Sequence, residues 1–521
     1  MSIAECPRCG YHLATELKEG LPALEAKVNR LDVLMSRLQE EKAILLRRIN
    51  NAQEKTMCLP FEVLSNIFLF ARPPIQFAAY EPIFYDENDP DHPPLTGYYD
   101  PAEYFHLTLA AVSHRWRQVV LSTPQLWTTI SLRFLSAFTN FNTSLLDLYF
   151  KNAHSLPLSI RLDFSNCALA WPADSGFKRY NFLKALGPLE EIIFDRKADR
   201  IYSLALIKLP VEWFYFDPGN LSHCASMTIY WPSVMDDDDD DDSLLDARDL
   251  PCLEHLKLVD SDVLFQLPTT VTTLQLSEID MTHYIELLEE LPKLVKLEIT
   301  DATTGTFEPV VLHRLEHLTW RKVCVDDNHG FLRSLRLVHL TTLEWGERRN
   351  YRRPLSEEGR RLRLAFFSSL PSTLSSLTFA GNLEIDPPGL VDLLCCVPKL
   401  AELHFIGSYW QVVVGAVESI GRPPANRRAS SSTLNVLPNL CTLSVSGTTS
   451  ITSRMNASVF IGMLKALHAA GPRPNQFLLT TNSNVIWQPD DLRKVQALLS
   501  SGMGVKIVFA HGHSTLSVPP D

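Results

Sequence analysis

Residues 374–382 read Leu-Ser-Ser-Leu-Thr-Phe-Ala-Gly-Asn, and the first six of them carry the pattern on which the fold turns. An apolar residue is followed three positions later by a second, and two positions after that by a third. The same unit stands at Leu189-Ile192-Phe194, Val211-Phe214-Phe216, Cys224-Met227-Ile229, Leu253-Leu256-Leu258, Val271-Leu274-Leu276 and Leu294-Leu297-Ile299. It continues at Leu315-Leu318-Trp320, Leu340-Leu343-Trp345, Leu400-Leu403-Phe405 and Leu440-Leu443-Val445. Residues two apart share one face of a strand, so the second and third members line a buried side while the first turns in from the preceding loop. Pro251, Pro268, Pro292, Pro371, Pro398 and Pro438 precede units and turn the chain from helix toward extended geometry. Amphipathic helical turns fall between units, at Ile285-Leu288-Leu291, Leu390-Leu393-Leu394-Val397 and Phe460-Met463-Leu464-Leu467. One unit cannot cover its own apolar faces, so neighbours must stack. Val505-Lys506-Ile507-Val508-Phe509 reads as a final buried strand closing the array.

The middle residue advances from 192 to 443 in ten steps averaging about 25 residues, inside the period of roughly 20 to 29 residues of leucine-rich repeats. The unit resembles that repeat, most fully at Leu374–Asn382; elsewhere the Asn is replaced, and the steps run from 13 to 40 residues. The resemblance implies an α/β chain in which residues 133–510 form an irregular leucine-rich-repeat solenoid. Loops are expected at 235–248, 346–365 and 421–433, and a tail at 511–521. An unrelated α/β fold on short apolar strands is the alternative.

A second stretch, Leu59 to Leu132, opens with LPFEVLSNIFLFA and resumes as FHLTLAAVSHRWRQVVLSTPQLWTTISL. Leu59, Val63, Leu64, Ile67, Phe68 and Phe70 recur at helical spacing, and Pro60 stands where a helix begins and its missing N–H costs nothing. The later part repeats the helical period and breaks at Thr123-Pro124. Leu59-Pro60, Glu62-Val63-Leu64, Ile67-Phe68, Val112-Ser113, Trp116-Arg117 and Leu126-Trp127, in that order, resemble an F-box. The resemblance implies a small all-α domain over 56–132 that docks on the Skp-type adaptor of a cullin-RING ubiquitin ligase. Its contacts would be Leu59, Pro60, Val63, Leu64, Ile67, Phe68, Val112, Trp116, Leu126 and Trp127. The sequence departs from the family in a proline-rich acidic insert at 71–105, where a compact F-box has a short connection. An ordinary buried helical hairpin is the alternative. The whole layout looks like the F-box and repeat proteins of mushroom-type fungi.

Upstream, residues 1–20 hold Cys6-Pro7-Arg8-Cys9, a CxxC without the second ligand pair that a tetrahedral zinc site needs; zinc held by Cys6 and Cys9 of two parallel chains is one reading and an unliganded terminus the other. From 21 to 55 the spacing predicts a coiled-coil helix. Leu21, Leu24, Val28, Leu31, Met35, Leu38, Leu45 and Ile49 follow a heptad seam broken only by Lys42. Residues 21–49 suit a homodimer, or one long amphipathic helix lying on the chain's own domains.

The 521 residues carry a formal charge of −12, seven of those charges in the single run Asp236–Asp242. Such a balance argues against a general nucleic-acid binder, which needs a basic face. The Asp run lacks the spacing of a calcium loop. No apolar run reaches the ~18 residues of a spanning helix, and the scattered cysteines suit reduced core positions, so a cytoplasmic or nuclear protein is expected. Arg348, Arg349, Arg352, Arg353, Arg360 and Arg361, with Arg363, crowd one segment that would suit an acidic or phosphorylated substrate, or form a solvated loop balanced by glutamates. There is no GxSxG elbow, phosphate-cradling glycine loop or HExxH, so neither catalytic residue nor cofactor is implied. The resemblance to F-box and repeat proteins thus implies a ligase substrate-recognition subunit whose repeats bind a protein substrate. A coiled-coil-oligomerised repeat scaffold outside ubiquitin ligation is the second reading.

Overall fold

The computed structural model describes residues 21–53, 59–73, 104–134, 143–165, 184, 186–208, 220–230, 245–260, 265–281, 284–302, 308–323, 325, 329–347, 356–381, 385–408, 410–421, 437–446, 455–469, 476–481, 485–509 and 515–517. The chain forms two compact units, residues 1–130 with 144–156, and residues 131–143 with 157–521.

The first unit is helical: α1 (Leu21–Gln53), α2 (Phe61–Ala71), α3 (Phe105–Val112), α4 (His114–Leu121), a 3-10 turn (Pro124–Trp127) and α5 (Ser144–Asn152). Pro60 opens α2 with an extended backbone, and Pro124 opens the 3-10 turn. A single residue divides α3 from α4. Ser113 takes an extended conformation, ending one helix, and its Oγ accepts the Trp116 N–H at 3.1 Å, capping the next.

Among the described residues one sheet of fifteen strands keeps chain order in space, from Thr129–Arg133, where the second unit begins, to Thr515–Ser517. From Leu158–Asp163 to Val505–Phe509 each strand pairs in parallel with the next. The sheet is open, mixed with helices, and does not close into a barrel. Register makes the repeat physical. Met227, Leu256, Leu274, Leu297, Leu318, Leu343, Leu377, Leu403, Leu443 and Leu479 stand side by side in one buried row. Ile229, Leu258, Leu276, Ile299, Trp320, Trp345, Phe379, Phe405 and Val445 form the next. Leu253, Val271, Leu294, Leu315, Leu340, Leu374, Leu400 and Leu440, the first members of their units, are all buried.

A hydrogen-bond staircase joins the units. From His255–Val259 to Thr442–Ser446 the two amides entering a strand donate to one carbonyl at the start of the strand before, as Thr272 and Thr273 do to Glu254, Val295 and Lys296 to Thr272, and Glu316 and His317 to Val295. The residue after a strand turns left-handed in Lys208, Asp260, Glu278, Asp301, Gly381 and Gly407. Each of these amides donates to a carbonyl toward the end of the next strand, at 2.7 to 3.1 Å: Arg321 for Asp301, and the last residue of the strand for the other five. Helices Glu357–Ser369, Pro387–Cys396, Trp410–Gly421, Ser458–Ala469 and Pro489–Ser500 pack each on the next. Gly415 permits the closest approach: a Cβ there would lie 2.5 Å from the Pro387 Cβ.

Several expectations are corrected. Leu189-Ile192-Phe194 is no strand unit: Glu191–Arg196 is a π-helical turn that buries Ile192, Ile193 and Phe194 together. The ladder instead takes Leu204 and Leu206 from Ile201–Ile207. Val211, Phe214 and Phe216 lie outside the described residues. The expected 346–365 loop contains the start of helix Glu357–Ser369, whose Ser356 cap accepts the Gly359 N–H at 2.8 Å. Leu245–Asp246, at the end of the 235–248 loop, pairs with Phe265–Gln266. Gly421 ends a helix, and 422–433 lies outside the described residues. Val505–Phe509 is not last, because Thr515–Ser517 of the expected tail pairs with it antiparallel. A further strand, Phe477–Thr481, precedes it. Cys252 and Cys395 are exposed rather than in the core.

Candidate functional site

Within the helical unit the fold landmarks divide by burial. Leu64, Phe68, Leu126 and Trp127, all expected to touch a partner, are interior, as are Val119 and Val120. Phe68 meets Trp116 at a ring-centroid distance of 4.7 Å, and the Trp127 indole donates to the Val120 carbonyl at 2.8 Å. Ser65 and Thr123 share a hydroxyl hydrogen bond of 2.9 Å, Arg115 donates to the Leu59 carbonyl, and Arg72 donates to that of Gln125 at 3.1 Å. These contacts fix α2 against α4 and the 3-10 turn.

His106 completes this interior. It stands edge-on to Trp127 and Tyr149, at 4.8 and 5.0 Å between centroids, and its Nε2 is buried without a partner among the described residues. Burial, with the Arg72 charge adding, holds its imidazole down at about 4, so it is neutral at physiological pH.

Helix α2 also has a second apolar face. Val63, Ile67 and Phe70 follow one another at spacings of four and three, about 100° around the axis from Leu64 and Phe68. They are 42%, 45% and 91% exposed, and Phe61 beside the inner face is 38% exposed. An exposed row of large apolar side chains is unfavourable in water and marks an interaction surface. Val112 is also exposed, Pro60 is exposed, and Leu59 and Trp116 are half-buried. The outward row therefore comprises Val63 and Ile67 from the expected set, plus Phe70. The sequence offered a signal for Phe70: α2 has more apolar positions than one helical face can hold.

The arginine segment is not assembled as expected. Arg348, Arg349, Arg352 and Arg353 lie outside the described residues. Arg360 and Arg361 both pair with Glu357 on their own helix, and Arg333 pairs with Glu358. Arg363 is buried against Glu347, with 5% and 4% of their side chains exposed, and that carboxylate also accepts the Trp345 indole at 2.9 Å. Cys6 and Cys9 lie outside the described residues. Among the described residues no group of His, Cys, Asp and Glu is placed to hold a metal ion. Cys224 is buried in the core, its thiol pushed up to about 12 by desolvation.

The large sheet has a second, half-exposed face. The alternation that buries Leu274 and Leu276 leaves Thr273, Gln275 and Ser277 half-exposed. On this face Arg321 reaches Glu344 at 2.6 Å and Glu298 at 3.5 Å, and Gln275 donates to Glu298 at 3.1 Å. The result is a polar ladder spanning consecutive strands. At its upper edge Ile207, Tyr230 and Val259 are buried together, and burial, with Asp260 and Glu278 nearby, pushes the Tyr230 phenol up.

No protein-family model matches the chain, and no curated protein matches it in sequence. Among the described residues no helix is long and apolar enough to cross a membrane.

Proposed function

We propose that the chain is the substrate-recognition subunit of an SCF-type cullin-RING ubiquitin ligase, with α2–α4 as an F-box and the repeated sheet as an irregular leucine-rich-repeat solenoid. The observation that carries the reading is the outward row Val63, Ile67 and Phe70 on a helix whose other apolar face is already used in the interior. Interface energy concentrates on such large apolar anchors, and this row supplies three in two turns. The in-register ladders and the staircase of paired amides support the repeat reading, because each unit adds the same strand and the same contacts. The half-exposed polar face around Arg321 is the surface offered to a protein substrate. Under this reading the bond-forming chemistry belongs to the ligase's partner enzyme. The chain works by proximity in the cytoplasm or nucleus, with no cofactor of its own.

Affinity purification tests it. Full-length protein should recover the Skp-type adaptor and cullin, and Ile67→Asp should recover neither while retaining its near-UV circular dichroism. Recovery of other proteins without adaptor by the wild type would leave the repeat scaffold as the better reading.

A further inference from the structure

Helix α1 runs unbroken for 33 residues, about 50 Å, and its seam is uncovered. Val28, Leu31, Met35, Leu38, Leu45 and Ile49 are between 50% and 63% exposed. A helix of this length with its apolar strip exposed from Val28 to Ile49, and only Leu24 half-buried ahead of it, needs a partner of matching length and periodicity. We infer that α1 pairs with α1 of a second copy of this chain as a parallel, in-register, two-stranded coiled coil.

The heptad register selects that occupant. Leu24, Leu31, Leu38 and Leu45 fall at the d positions, all leucine. Val28, Met35 and Ile49 fall at a, with Lys42 the one polar member. Leucine at d with β-branched residues at a favours two parallel strands, and a single polar residue at a fixes register and strand number at some cost in stability. Charge agrees with direction. In a parallel pair each g residue faces the e residue of the partner's next heptad, which sets Lys27 of one copy against Asp32 of the other, twice by symmetry. The Lys42 ammonium can reach out of the seam to Glu41, at the flanking g position of the second copy. A fully overlapped antiparallel pair instead brings Lys27 beside Arg48. Leu34 and Leu46, at g and e and 45% and 49% exposed, extend the strip that the second copy covers. This inference does not depend on adaptor docking: either can fail alone.

Sedimentation equilibrium of the full chain at micromolar concentration tests it. The expected mass is twice the 58.9 kDa of one chain; a monomer, trimer or tetramer overturns the assignment. Leu31→Asp with Leu38→Asp should give a monomer with unchanged thermal unfolding of the repeats. Lys27→Asp alone should raise the dissociation constant roughly tenfold, and Lys27→Asp with Asp32→Lys should restore it, because the charges simply exchange places. Failure of the double exchange to restore dimerisation overturns the parallel arrangement.

Discussion

Replacing Arg363 by Met removes, among the described residues, the one charged partner of the buried Glu347 carboxylate. Arg363 Nη1 lies 3.0 Å from both oxygens of Glu347, so without the guanidinium the Trp345 indole is the carboxylate's remaining partner among the described residues. Breaking one side of a buried pair costs about 3–5 kcal/mol, because the remaining charge stays desolvated. Glu347→Gln should cost a similar amount by stranding the guanidinium, although its amide oxygen still accepts the indole. The double substitution leaves neither charge and keeps the indole bonded, so its deficit should be smaller than either single one. That makes the coupling at least ~3 kcal/mol, well beyond what independent sites show. Urea unfolding followed by tryptophan fluorescence includes a reporter at the pair, since the Trp345 ring on strand Thr342–Glu347 lies 5.5 Å, centroid to centroid, from Phe366 on the Arg363 helix. Deficits that simply add in the double variant would refute the reasoning.

Other consequences are as direct. The His106 imidazole, held near 4 when folded, titrates near ~6.5 when unfolded, so its contribution to stability is complete above pH ~6.5. It is lost as the pH falls toward 4, by about 3 kcal/mol in all. His106→Phe should flatten that dependence in acid unfolding of the helical unit. Leu64→Ala, in the interior, should cost about 2–5 kcal/mol in thermal or urea unfolding, whereas Val63→Ala on the outer face should stay within ~0.5 kcal/mol. Gly381 has φ of +74° with no atom within 4 Å of a built Cβ, so Gly381→Ala should cost about 1–2 kcal/mol through the backbone alone. Calorimetry of the two proteins checks this.

The repeat pattern was legible where two residues of the unit both had to be buried. Leu256-Leu258 through Leu443-Val445 fall in one register because a one-residue slip would turn every one of them to the polar face. The pattern misled at Ile192-Phe194, where the same spacing also suits a helix and Ile193 between them is buried as well. It passed over Ile201–Ile207, whose run Leu204-Ala205-Leu206-Ile207 is buried on both faces and shows no alternation. Helix Glu357–Ser369 was hidden by its arginines, since Arg363 counts as polar in sequence but is neutralised by Glu347, sixteen residues earlier. In the helical unit the landmarks were visible but not their directions. Periodicity puts Leu64 and Ile67 on one amphipathic helix; only the packing of Phe68 on Trp116 decides that Leu64 points in and Ile67 out.

The most direct test of the docking account is calorimetric titration of purified full-length chain with a Skp-type adaptor. Truncating a large apolar anchor typically costs 2 kcal/mol or more, roughly thirtyfold in affinity. The account predicts a saturable complex whose dissociation constant rises at least that much in Ile67→Ala and again in Phe70→Ala, with the fold of each variant unchanged. A wild-type chain that does not bind, or one whose affinity is indifferent to Ile67 and Phe70, would contradict it.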